Sequence, residues 1–229
     1  MKDYLSTTLK SAVFTLASFV ALPAFSVTLS GPGTADFALP GTTAAAQPDL
    51  GGLIIEDVIS DFSISGAGET LQGTIQNRVV RGADDTLTFY WRIRPISGNG
   101  DILSFRVGGF GNFALDANWR IDGLGAESPN IARYFGDGSG AVNFLFENSE
   151  VGVGTNPDGS LTTSVFFFLD TEAKNYTMNG QFDLLCAPSS CVSQSYPTFS
   201  PSTIPVPAAA WLFVSGLLGL TGLAGKKAA

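Results

Sequence analysis

The sequence predicts an all-β fold: an antiparallel β-sandwich or jelly-roll-like body, with an N-terminal signal helix and a C-terminal single transmembrane helix. Three observations predict it. Apolar residues recur with period two through the middle of the chain, as they do in strands with one buried face. The 229 residues include 27 glycines beside 18 phenylalanines, which supplies many turns and bulky core side chains. No segment of useful length between residues 27 and 204 shows a helical period. Without crossover helices, parallel βαβ architecture is disfavoured.

The expected strands follow in order. Leu53 to Ile59 and Thr70 to Val80 come first, bounded by turn residues. In Thr86 to Arg94, the set Leu87, Phe89, Trp91 and Ile93 faces one side, and Thr86, Thr88, Tyr90, Arg92 and Arg94 face the other. Ile102 to Val107 repeats the alternation, with Leu103, Phe105 and Val107 inward and Ser104 and Arg106 outward. Between them Pro95-Ile96-Ser97-Gly98-Asn99-Gly100 is a run of turn residues, so 86–107 is expected to be a β-hairpin. Val142 to Phe146, Ser164 to Leu169 and Met178 to Leu185 complete the set. Val165 to Leu169 is apolar on both faces, which marks a central strand or one covered by a loop.

Composition narrows the chemistry. The chain has no histidine, which removes Ser-His-Asp and Cys-His catalysis, imidazole metal ligation and histidine pH switching. A formal charge of −8 excludes a generally basic nucleic-acid binder, and no nucleic-acid partner is expected. With 45% hydrophobic and 14% charged residues, it is not a disordered acidic chain. The charge is uneven: residues 27–77 hold six acids and no base, and residues 107–204 hold ten acids and three bases. Residues 78–106 hold five arginines against three aspartates. Arg92, Arg94 and Arg106 fall on one outward face of the expected hairpin. Guanidinium forks suit carboxylates and sulfates, so these three are the candidate anionic-glycan face. The competing reading is a solubilising face paired with nearby carboxylates.

Both ends read as addresses. Lys2 and Lys10 belong to a positive start, Ser11 to Leu22 is apolar, and Ala24 and Ser26 offer small residues at the −3 and −1 positions of a cleavage site. Residues 1–26 are therefore read as a signal peptide for a Sec-type translocon, and 27–199 as the β-sandwich body. Residues 200–207 are read as a Pro-rich linker. Ala208 to Gly225 is 18 residues without a charge, apolar on every face. At about 1.5 Å per residue it would span about 27 Å, near the thickness of a hydrocarbon core. Lys226 and Lys227 follow as a basic stop in a cytoplasmic tail, 226–229, which leaves the body outside.

Ile204-Pro205-Val206-Pro207-Ala208, then Trp211-Leu212-Phe213, Gly216-Leu217-Leu218-Gly219-Leu220 and the terminal lysine pair resemble the PEP-CTERM class of sorting signals, most closely its VPLPA-type variant. The glutamate of the VPEP form is absent, Val206 standing in its place, and the usual Arg-rich end is here Lys226-Lys227. The resemblance implies a Gram-negative bacterium with an exosortase-like membrane protease that cuts near the Pro motif. It also implies a membrane-tethered precursor facing the periplasm, a mature form at the cell surface, and an exopolysaccharide-rich biofilm as its setting. Gly73-Thr74-Ile75 with Leu87 to Trp91, and Phe167 to Thr177, are similar to the bodies of secreted proteins of this class.

Cys186 and Cys191 enclose four residues. In an oxidising compartment the two pair as a structural clip. The spacing is not that of a redox CxxC, and two sulfurs without histidine do not make a zinc site. Gly136-Asp137-Gly138-Ser139-Gly140 and Asn156-Pro157-Asp158-Gly159-Ser160 offer oxygens to Ca²⁺ but lack the spaced acids of an EF-hand, and read as turns. No cofactor or metal is expected. Tyr90, Trp119, Tyr134 and Tyr196 are the candidate sugar-stacking aromatics. With no recognisable catalytic constellation, the expected role is a non-enzymatic structural or adhesive protein of the surface or matrix. A carbohydrate-binding or carbohydrate-active jelly roll is the alternative.

Overall fold

A computed structural model of the chain describes residues 25–203 except 67, 112, 148, 150, 153–157 and 187–190. The signal segment through Ala24, the sorting motif Ile204 to Ala208, the apolar span to Gly225, and Lys226 and Lys227 lie outside the described residues. Among the described residues no helix is long and apolar enough to cross a membrane.

The described residues form β1 (Val27–Leu29), β2 (Gly33–Ala38), β3 (Leu53–Gly66), β4 (Glu69–Arg81), β5 (Leu87–Gly98), β6 (Ile102–Gly108), β7 (Leu115–Trp119), β8 (Ile131–Gly136), β9 (Ala141–Leu145), β10 (Phe167–Thr171), β11 (Asn175–Cys186), β12 (Cys191–Val192) and β13 (Tyr196–Ser202), with one 3-10 turn at Pro48–Gly51. The first sheet runs β1-β7-β10-β5-β4-β3. The second runs β12-β11-β6-β9-β8-β2, with β13 beside β12 on the outer side of β11. Every strand pairing is antiparallel. The two sheets pack face to face, which is the all-β sandwich that the alternation predicts.

The 86–107 hairpin is corrected. β5 pairs with β4 and β10, whereas β6 pairs with β11 and β9 in the other sheet. The chain crosses from sheet to sheet between them. Alternation reports that one face of a strand is buried, and two strands facing each other across the core satisfy it as well as two neighbours do. The expected end of the body at residue 199 is also corrected, because β13 continues to Ser202. Pro197 and Pro201 sit in that strand opposite Gln181 and Tyr176, on an outermost strand, where proline is tolerated.

Aromatic rings fill the interface between sheets. Phe167 lies 4.8 Å from Phe144, 5.1 Å from Phe105 and 5.6 Å from Phe146, ring centre to ring centre. Trp91 contacts Phe105, Phe110, Phe144 and Phe167. One polar tie runs through this apolar layer. The Trp91 Nε1–H donates to Thr198 Oγ1 at 2.8 Å, and the Thr198 hydroxyl donates to Asn77 Oδ1 at 2.8 Å. Trp91 and Asn77 belong to the first sheet and Thr198 to the second, so each buried polar group finds its partner across the sandwich.

Two measurements test this core. Phe167→Ala removes a fully buried ring and is expected to lower the unfolding free energy by about 3–5 kcal/mol in urea titration. Thr198→Val keeps the volume but orphans Trp91 Nε1 and Asn77 Oδ1, with an expected cost of about 1–3 kcal/mol.

Candidate functional site

The site begins with the problem of β10. Phe167 and Leu169 point into the core, so Phe166 and Phe168 point to the outer face of the first sheet, where they too are buried. They form a second apolar cluster with Leu50, Val80 and Tyr90. The cover is the loop carrying the 3-10 turn. It is pinned by the Tyr90 hydroxyl, which donates to Leu50 O at 2.9 Å, and by Arg120 Nη1, which donates to the same carbonyl at 3.0 Å. Gly52 closes the loop onto β4, since a Cβ there would collide with the carbonyl of Arg81. On the other side, Gly41 holds a φ of +78° and lies against the Trp119 ring, where a side chain would have no room.

The cover does not reach across the whole face, and a groove of about 370 Å³ opens at its edge. Its walls include Leu50, Ile54, Gln76, Arg78, Tyr90, Arg120, Asp122, Leu124 and Phe166. The Arg78 guanidinium lies over the Phe166 ring, 4.6 Å from its centre, and Arg92 lies 6.0 Å from the same ring. A guanidinium on a ring face gains cation–π attraction of about 0.5–2 kcal/mol. Strand register sets this geometry: Arg78 stands opposite Tyr90, Gln76 opposite Arg92, and Thr74 opposite Arg94, all outward.

The electrostatics are asymmetric. Arg78 donates to Asp57 at 2.7 Å, and Arg120 forks onto Asp122 with contacts of 2.6 and 3.0 Å. The hydrogen bond from Arg120 and its charge hold the Asp122 carboxyl below its usual range. Among the described residues, the partners of Arg92 are neutral: Ser164 O at 3.2 Å and Thr163 Oγ1 at 3.1 Å. Burial, then the charges of Arg94 and Arg78, push the Arg92 guanidinium below its usual range. Arg94 has no ion pair among the described residues.

The candidate face of Arg92, Arg94 and Arg106 is therefore divided. Arg92 and Arg94 share the outer face of the first sheet. Arg106 lies on the opposite side of the sandwich, paired with Asp183 at 2.5 Å. Sequence reasoning missed Arg78 and Arg120. The outward alternation of Thr74, Gln76 and Arg78 on β4 was the available signal, but it places Arg78 beside Arg92 only once the β4–β5 register is known. No signal in the sequence joined Arg120 to the groove.

The other candidates resolve as follows. Tyr90 is 3% exposed, and burial raises its phenol well above the usual value. Trp119 donates to Leu39 O, and Tyr196 stacks on Phe182 and bonds to Ser63. Trp119, Tyr134 and Tyr196 are half-buried and pack against the core. Asp137 and Asp158 each accept from the backbone N–H and hydroxyl of the serine two residues on, which are turn contacts. Cys186 and Cys191 are disulfide-bonded across β11 and β12, with Cα atoms 5.3 Å apart. Glu69 lies beside them, but both sulfurs are committed to the bond, so the trio is not a metal centre. Ser26 donates through N and Oγ to Gln47 Oε1, and the Phe25 carbonyl accepts from Asn118 Nδ2.

A second feature lies on the same face. Asp170 stands directly opposite Asp116 on β7 and Thr88 on β5. Burial pushes the Asp170 carboxyl up to about 6, with Asp116 and Asp84 adding to the rise against a hydrogen bond from Thr88.

The chain matches no family model, no curated protein and no solved structure, so the meaning of the site rests on its own geometry.

The raised Asp170 carboxyl sets a pH dependence. An unfolded aspartate titrates near 3.9. Between there and about 6 the folded state binds the proton more tightly, so this group's contribution to stability is present below the window and lost as pH rises through it. Asp170→Asn is expected to be more stable than the parent by about 1–3 kcal/mol at pH 7.5, with no difference by pH 3.5 in denaturant titrations.

Proposed function

We propose that this chain is an exported, non-enzymatic β-sandwich protein of the cell surface or extracellular matrix. In this reading it is delivered by the N-terminal signal and processed at the Pro motif by an exosortase-like protease. The observation that carries the reading is the cysteine pair: Cys186 and Cys191 are placed as a disulfide, in a body whose two flanking segments read as export addresses. The disulfide and the aromatic core suit a protein that must persist outside the cell. The body acts as a structural or adhesive component there, in contact with exopolysaccharide.

The processing places definite ends. Cleavage after Ser26 leaves Val27 to open the mature chain at the first residue of β1 and removes the contact of Ser26 with Gln47. Cutting within Ile204 to Ala208 leaves β13 intact. Intact-mass and terminal-peptide analysis of the protein recovered from its own cells is expected to find Val27 first, a C-terminus within 204–208, and an oxidised Cys186–Cys191 pair in the surface fraction. A full-length chain with free thiols in the cytoplasm would overturn the reading.

A second reading, a carbohydrate-active jelly-roll protein, draws support from one observation. Asp116 and Asp170 stand on directly opposed residues and burial pushes the Asp170 carboxyl up to about 6, and glycoside hydrolysis employs two carboxyl groups of which one has a raised pKa. Sugar release from the host polymer by the parent, absent in Asp170→Asn, would favour it.

A further inference from the structure

We propose that the outer face of the first sheet binds a linear polyanionic glycan, bearing carboxylate or sulfate groups, along a track formed by Arg78, Arg92 and Arg94. The extracellular reading enters only as the source of the glycan. Binding by purified protein is tested without it.

The first ground is charge that the protein leaves open. Residues 27–204 contain 19 acids and only eight bases. Arg81, Arg106 and Arg133 each hold an aspartate at 2.5–2.7 Å, and Lys174 lies 3.7 Å from Asp85. Arg92 and Arg94 have no acidic partner among the described residues, although the chain is acidic overall. Thr74 separates Arg94 from Asp61 in its row, and Gln76 separates Arg92 from Ile59. Among the described residues, the carboxylate in contact with the cluster is Asp57, and it is engaged by both Arg78 and Gln76. Asp61, Asp116, Asp122 and Asp170 share this outer face but form no ion pair with Arg92 or Arg94, so two of the three clustered guanidiniums keep a charge that an outside anion can neutralise.

The second ground is spacing. Arg92 and Arg94 are alternate residues of β5, so they stand about 7 Å apart along the strand. Arg78 lies one strand over, about 5 Å across, and a further two residues along, opposite Tyr90. The three cations thus follow a slanted line of about 14 Å. One oxyanion would meet one fork of this line, whereas a polymer with a charge on each repeat meets them in succession.

The third ground is the flank. The groove continues the line past Arg78, and its edges carry the exposed side chains of Ile54, 47% accessible, and Leu124, 67% accessible. Apolar edges beside guanidinium forks suit a sugar ring, whose faces are C–H and whose substituents carry the charge. The rings of Tyr90 and Phe166 are covered, by the loop and by Arg78, so recognition proceeds through charge rather than aromatic stacking. That same lack of open rings, with the acidity of the remaining surface, disfavours nucleic acid, which needs broad phosphate neutralisation and, when single-stranded, stacking platforms.

The test is affinity electrophoresis of the full chain in mild detergent, through gels containing polygalacturonate, dextran sulfate, neutral dextran or double-stranded DNA. Retardation is expected from one or both of the charged glycans and from neither dextran nor DNA. Which of the two polymers retards identifies the anion. Arg94→Ala, whose side chain bonds nothing among the described residues, and the double variant R92A/R94A are expected to weaken retardation, the double variant by about tenfold or more. R92K/R94K should recover part of it, as charge without the fork. R106A/R133A, in the second sheet, should leave it unchanged. Circular dichroism melting confirms that each variant is folded. Absence of retardation by both charged glycans, indifference to R92A/R94A, an equal loss in R106A/R133A, or equal retardation by DNA would each overturn the proposal.

Discussion

The burial of both faces of β10 is the constraint on which the rest of the molecule turns. A strand with one apolar face can sit in a sandwich with its other face in water. Phe166 to Leu169 is apolar at every position, so exposing either side would leave bulky aromatic surface in solvent, at a cost of about 25 cal/mol per Å². The inner residues are met by the second sheet. The outer ones require a separate cover, and the sequence provides one in the loop that carries Leu50. The candidate site is the edge of that cover. Arg78 completes the lid over Phe166 with its guanidinium, so the ring that needs burying and the charge that makes the groove distinctive belong to one contact.

Much of the fold was legible because one-sided burial writes itself into a strand as period two. β4, β5, β6 and β9 occupy nearly the spans that alternation marks. β3 and β11 are longer than expected, since their outer stretches run along edges where polar residues are tolerated. The elements that sequence left unmarked include β2, β7 and β8 as well as three of another kind. β1 and β12 are too short to show a period, and β13 carries two prolines that read as linker until its edge position is known. The double-sided burial of Val165 to Leu169 was readable, and both of its explanations hold together: β10 is central and it is covered by a loop.

The site was less legible than the fold, for a physical reason. Alternation tells which way a side chain points relative to its own strand and says nothing about which strand lies beside it. Arg92, Arg94 and Arg106 all point outward, as read. They divide between the two outer faces because β5 and β6 belong to opposite sheets. The arginine that does neighbour Arg92 comes from β4, through a pairing that brings residue 76 opposite residue 92. A charge cluster made by long-range register has no local signature, whereas the disulfide, closed within six residues of chain, had one.

Tyr90 shows how the two levels meet. Alternation places it outward, which made it a candidate for contact with sugar. In the fold its ring packs edge-on against Phe166 and its hydroxyl holds the carbonyl of Leu50, so the outward side chain is spent on securing the cover. Arg120 reaches the same carbonyl and is held in place by Asp122. The aromatic surface that could have bound a ligand by stacking is thus consumed in making the outer face stable. What remains at the groove's edge is guanidinium. In a body with more than twice as many acids as bases, Arg92 and Arg94 stand out because neither has an acidic partner among the described residues, although Arg92 does bond Ser164 O and Thr163 Oγ1. The fold accounts for Arg78 and Arg120 through the lid they complete. It leaves Arg92 and Arg94 oriented by register on a central strand, with no acidic partner among the described residues.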